Sequence, residues 1–157
     1  MNENLNEKEK ILKWSRPVEI LLVDDNPADV TLTQEAFQDG KLCNNLNVVN
    51  DGVEAMDFLR KKGRYASAPT PDFILLDLNM PRKDGREVLA EIKADDRLKS
   101  IPVVIMTVSK DDKDILESYR LHANCYITKP VKFTEFVEIV RTLENFWFSI
   151  VTLPSEK

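Results

Sequence analysis

Glycine, histidine and cysteine are scarce in this chain, and basic residues are outnumbered by acidic ones. Of 157 residues, four are glycine, one is histidine and two are cysteine. Cys43 and Cys125 have neither metal-ligand nor redox spacing and read as buried or half-buried thiols. The single histidine, His122, reads as a helix-end residue rather than a catalyst. A formal net charge of −5 argues against a general nucleic-acid binder, which would show a basic stripe. No apolar stretch approaches the roughly 18 residues needed to span a membrane. Residues Met1–Lys10 are acidic and amide-rich and lack the apolar centre of a signal peptide, so a cytoplasmic location is expected.

What is present is a regular alternation. From Pro17 onward, short apolar runs alternate with amphipathic stretches, which points to an α/β fold with a parallel sheet. The expected strands are Val18–Val23, Leu46–Val49, Phe73–Leu76, Val103–Met106 and Asn124–Ile127. Asn26 can cap the first helix, with Pro27 at its first position and Val30 and Phe37 on its inner face. Asp51-Gly52 precedes a helix with Val53, Met56 and Leu59 inward. Lys61–Pro71 reads as a basic loop. Pro81 and Asp84-Gly85 mark a turn before a helix with Val88, Leu89 and Ile92 inward. Ser109 and Asp112 have capping-box spacing ahead of a helix carrying Ile115, Leu116 and Tyr119. A last helix begins near Lys132. Three segments are expected: an N-terminal arm over 1–16, one domain over 17–144, and an apolar tail over 145–157.

A polar cluster follows each of four apolar runs: Asp24-Asp25, Asp77, Thr107 and Lys129-Pro130. If the runs are parallel strands, all four clusters lie at one carboxyl edge. In a doubly wound five-stranded sheet of order 2-1-3-4-5, ligands bind where the order reverses, between strands 1 and 3. Asp24, Asp25 and Asp77 would converge there. Carboxylates so close repel, and a cation relieves the repulsion. An all-oxygen site suits Mg²⁺ better than a soft metal. A cation, the Lys129 ammonium and the Thr107 hydroxyl together suit a phosphoryl group in transfer.

The segments LLVDDN, ILLDLNMPRKDG, VIMTVS and YITKP resemble the receiver domain of two-component response regulators, over about Val18 to Leu143. The resemblance implies a flavodoxin-like (βα)5 fold and a signalling phospho-acceptor rather than a metabolic enzyme. It implies that Asp77 accepts the phosphoryl group. It also implies that Asp25, Asp77 and the backbone carbonyl of Asn79 ligate Mg²⁺ directly, with Asp24 acting mainly through water. Lys129 and Thr107 would contact phosphoryl oxygens. Tyr126 would be the aromatic switch, and the Lys129-Pro130 bond would be cis.

LHANCYITKP and FWFSIVTLP look like stand-alone regulators partnered with cyanobacterial phytochrome histidine kinases. That implies a sensor histidine kinase as donor, a homodimer built on the final strand, helix and tail, and a downstream protein or phosphotransfer domain as target. It implies neither DNA nor membrane as partner. A phosphorelay intermediate and a binding-only pseudo-receiver remain alternatives. A phosphatase with an aspartyl-phosphate intermediate would need a second acid two residues after the nucleophile, where this chain has Asn79. A flavin-binding domain would need a hydroxyl- and glycine-rich phosphate loop after strand 1, where this chain has Asp24-Asp25.

Overall fold

The computed structural model describes residues 17–40, 43–80, 82–107, 125–128 and 132–155, with side chains for all of these except 125, 126, 128 and 146–155. The described residues fall into two compact units. One takes 17–18 and the described parts of Thr31–Asn45 and Val131–Lys157; the other takes Glu19–Val30 and the described parts of Leu46–Pro130.

Five strands, β1 (Val18–Val23), β2 (Asn44–Val49), β3 (Phe73–Asp77), β4 (Val103–Thr107) and β5 (Cys125–Thr128), form one sheet in the order β2-β1-β3-β4-β5. Pairing is parallel along β1, β3, β4 and β5. The register sets Val23 beside Leu76, Asp77 beside Met106 and Thr107 beside Thr128, so the polar residues ending these strands share one edge. The described helices are α1 (Pro27–Gln38), α2 (Gly52–Arg60), α3 (Gly85–Ala94) and α4 (Phe133–Ser155).

β3 and β4 are buried at every position, which accounts for their unbroken apolar runs in place of an alternating pattern. On one face, Leu21, Val23, Ile74, Leu76, Val103 and Ile105 pack with Ala55, Met56 and Leu59 of α2 and Val88, Leu89 and Ile92 of α3. Each buried Val, Leu, Ile or Met side chain among these contributes about 1.5–3 kcal/mol by leaving water. Val53, expected inward, is only half-buried, because the inner stripe of α2 centres on Ala55, Met56 and Leu59. α2 stops at a left-handed Lys61 (φ 56°), and the next amide, Lys62 N–H, donates back to Asp57 O at 2.9 Å. The basic loop that follows contains a short 3-10 turn, Gly63–Tyr65.

In the other unit, α1 buries Thr33, Ala36 and Phe37, and α4 buries Phe136, Val140 and Glu144. α4 runs without interruption from Phe133 to Ser155, so Phe146–Val151 belongs to the helix and is not a tail beyond it. Physically, no glycine or proline occurs between Phe133 and Leu153. The aromatic and β-branched residues there lower helix propensity by only a few tenths of a kcal/mol each, roughly. The expected arm, the helix with Ile115, Leu116 and Tyr119, and His122 lie outside the described residues.

Candidate functional site

β1 delivers Asp24 and Asp25 to the carboxyl edge. The Asp24 amide still bonds across the sheet, donating to Val49 O at 3.1 Å. Its side chain points inward and is 1% exposed, whereas Asp25 is exposed. Asp24 Oδ1 accepts the Asn26 amide at 2.9 Å, turning the chain. Asn26 then caps α1, its Oδ1 accepting the amides of Ala28 (2.9 Å) and Asp29 (3.2 Å). The sequence-based capping role of Asn26 and the start at Pro27 both hold.

β3 delivers Asp77 as its last residue, 7% exposed, with Oδ1 accepting the Asn79 amide at 3.0 Å. Because Val23 pairs with Leu76, the next residue on each strand is an aspartate, and the two meet at this edge. One carboxylate oxygen from each of Asp24, Asp25 and Asp77 lies within 4.8 Å of the others. β4 ends on the fully buried Thr107, whose Oγ1 accepts a hydrogen bond from Asn79 Nδ2 at 2.9 Å.

Three clustered carboxylates repel each other, and a divalent cation relieves that repulsion. The donor set is wholly oxygen, partly buried and open at Asp25, which fits Mg²⁺ or Mn²⁺ keeping several waters.

The loop from β3 to α3 is pressed against this site. Asp84 caps α3, its Oδ1 accepting the amides of Arg86 (2.9 Å) and Glu87 (3.1 Å). Gly85 N–H donates to Leu78 O at 2.9 Å. A Cβ on Gly85 would lie 2.3 Å from the backbone oxygen of Asp77, so only glycine fits there. Asp84-Gly85, expected as a turn, is in addition a helix cap and a point of close approach to Asp77. An Asp-Gly pair directly before an amphipathic stretch was the available signal.

Of the expected site residues, the structure brings together Asp24, Asp25, Asp77, Asn79 and Thr107. The backbone of Tyr126 lies in β5, paired with Ile105; its side chain, Lys129 and Pro130 lie outside the described residues. Among the described residues, no helix is long and apolar enough to cross a membrane.

Residues 20–141 match the family described as response regulator receiver domain. The chain is 48% identical over 139 residues to the response regulator Rcp1 of Synechocystis sp., covering 88% of this chain and 95% of Rcp1. Among solved structures, it is similar to the phosphorylated cyanobacterial phytochrome response regulator RcpA. That match has 51% identity and a TM-score of 0.80, and covers 86% of this chain and 96% of the other. The Mn²⁺-bound form of Rcp1 is similar at 47% identity with a TM-score of 0.77, covering 83% and 94%.

Proposed function

This chain belongs to the response regulator receiver domain family, and we propose that it takes a phosphoryl group from a sensor histidine kinase onto Asp77 in the presence of Mg²⁺. The observation carrying this reading is the convergence of the Asp24, Asp25 and Asp77 carboxylates within 4.8 Å at the sheet edge. Asp24, Asp25, Asp77 and the backbone oxygen of Asn79 would hold the Mg²⁺. Bound there, the cation neutralises charge on the transferring group.

The remaining work falls to residues of the chain. An Asp77 oxygen attacks phosphorus in line, the P–N bond to the donor imidazole breaks, and a P–O bond to Asp77 forms. The backbone amide of Asn79, 3.0 Å from Asp77 Oδ1, orients the carboxylate. Thr107 offers its hydroxyl to one phosphoryl oxygen and Lys129 its ammonium to another. Such fixed donors act where charge develops. In the unmodified protein Thr107 receives the Asn79 amide. Recruiting the hydroxyl to a phosphoryl group therefore exchanges that partner for another and biases a two-state equilibrium involving β4, Tyr126 and Lys129.

The likeness to Rcp1 and RcpA supports a phytochrome-type kinase as donor. Output is a changed protein-binding surface rather than turnover of a metabolite. The apolar segment 146–151 supports a homodimer, which light scattering would read as a doubled mass.

The decisive experiment is incubation with acetyl phosphate and Mg²⁺, read by intact mass beside Asp77→Asn. A labile phosphoryl adduct on the wild type alone is expected. Its absence from folded, Mg²⁺-loaded protein, with a cognate kinase also failing, would overturn the reading in favour of a binding-only domain.

A further inference from the structure

Two residues beside the acidic cluster are held in a way that the phosphoryl chemistry does not itself require. Arg82, five residues after Asp77, adopts φ 67°, the left-handed region that favours glycine. A side chain in that conformation needs a compensating contact, and Arg82 has one. Its Nη1 donates to Asp51 Oδ2 at 3.0 Å. The Arg82 side chain is 59% exposed, but that of Asp51 is only 10% exposed. Asp51 uses its two oxygens separately. Oδ1 caps α2 by accepting the Glu54 amide at 2.8 Å, and Oδ2 takes the guanidinium.

The contact is reinforced one residue on. Gly52 lies so close to the loop that a Cβ there would be 2.2 Å from the backbone oxygen of Lys83. The loop after β2 and the loop after β3 therefore touch through backbone at Gly52 and Lys83 and through an ion pair at Asp51 and Arg82. The second of these loops carries Asn79. Its amide orients Asp77 and its side chain reaches Thr107. One end of the loop is fixed by the strand and the other by the Asp84 cap and the Gly85 amide. Arg82 fixes the middle.

We propose that Arg82 is a positioning residue: latched to Asp51, it holds the β3–α3 loop so that Asn79 is presented to the cation and to Asp77. This inference deepens the proposed function and rests on it for its catalytic consequence, though not for its effect on cation binding. The geometry also explains why a residue with an ordinary Cβ is kept at a glycine-favouring position. Glycine would satisfy the backbone and lose the latch.

The test uses the full chain with Arg82→Gly, Arg82→Lys, Asp51→Asn and the double variant Arg82→Gly/Asp51→Asn. Three quantities are read: Mg²⁺ dissociation constant by calorimetry, rate of Asp77 phosphorylation by acetyl phosphate, and thermal midpoint. Arg82→Gly relieves the backbone and should keep or raise the midpoint. It should nevertheless weaken Mg²⁺ binding and slow phosphorylation by about three- to five-fold, the scale of a partly exposed ion pair. Asn is as good a helix cap as Asp, so Asp51→Asn should reproduce the effect without unravelling α2. The double variant should be no worse than either single one, since both remove the same contact. Arg82→Lys should recover part of the loss.

Wild-type behaviour of Arg82→Gly in both Mg²⁺ affinity and rate would overturn the latch while leaving the phosphoryl acceptor intact. Losses that multiply in the double variant would also overturn it. If the wild type takes no phosphoryl group yet Mg²⁺ affinity still depends on Arg82 and Asp51, the proposed function fails and the latch stands.

Discussion

Carboxylates are handled in opposite ways on two neighbouring parts of the sheet-bearing unit. On the flank formed by α2 and α3, acids meet bases: Glu91 pairs with Lys83 and with Arg60 (3.3 Å), Glu54 with Arg64, and Asp51 with Arg82. At the carboxyl edge, three acids meet one another. On the flank the basic partners are long side chains that reach the carboxylates. The edge is built from short ones held by backbone amides, as at Asp24 with Asn26 and Asp77 with Asn79. Acidic side chains are thus spaced among basic ones along the flank and clustered at the edge, where the oxygen donor set suits a cation. A site of this kind lowers the stability of the cation-free protein and recovers it on binding.

If the edge is a backbone-rigid site, the largest effect should come from disturbing backbone contact. Gly85→Ala forces a methyl to within 2.3 Å of the Asp77 oxygen, so either α3 or β3 must move. A loss of about 1–3 kcal/mol is expected, as for overpacking elsewhere. Urea denaturation would measure it, and phosphorylation should fall with it. An unchanged midpoint would mean that the edge yields as easily as the flank, and the contrast would dissolve.

The next effect is one of sign. Asp25→Asn removes a charge from the crowded edge. In chelator its thermal midpoint should rise above that of the wild type, because like charges no longer oppose each other. Its Mg²⁺ affinity should fall by more than about tenfold, no less than what loss of an outer-shell partner costs. Removing a carboxylate from the flank should instead lower the midpoint. Two changes of the same sign would refute the opposition between the regions.

The same opposition explains what could be read from the sequence. The parallel α/β architecture was legible because β3 and β4 are unbroken apolar runs ending on polar residues. Asp24, Asp25 and Asp77 were legible because register places strand ends together. Long-range partners were not. Nothing in Arg82 announces a left-handed backbone or a bond to a residue 31 positions away. Gly85 looked like a turn glycine because its requirement is set by the Asp77 backbone, which is adjacent only after folding. The extent of the last helix was not legible, because the apolar cluster at 146–151 looks like a separate segment although none of its residues breaks a helix.

The smallest effect lies on the flank and depends on pH. Glu91 has its carboxyl pKa lowered from its ordinary value, chiefly by the hydrogen bond from Lys83, with further charge attraction from Lys83 and Arg60 outweighing partial burial. A carboxylate whose pKa is lower in the folded protein stabilises it most above its unfolded value. That stabilisation is lost as pH falls through the folded one. Glu91→Gln should therefore lower stability at neutral pH by about 0.2–1 kcal/mol, since the pair is partly solvated. The difference between wild type and variant should shrink towards zero as the pH drops below the ordinary carboxylate range. Thermal melts at neutral and acid pH, at low and high salt, would show it, with salt narrowing the gap at neutral pH. A gap that widened on acidification would mean that Glu91 resists its neighbours instead of binding them. The flank would then no longer be the balanced counterpart of the edge.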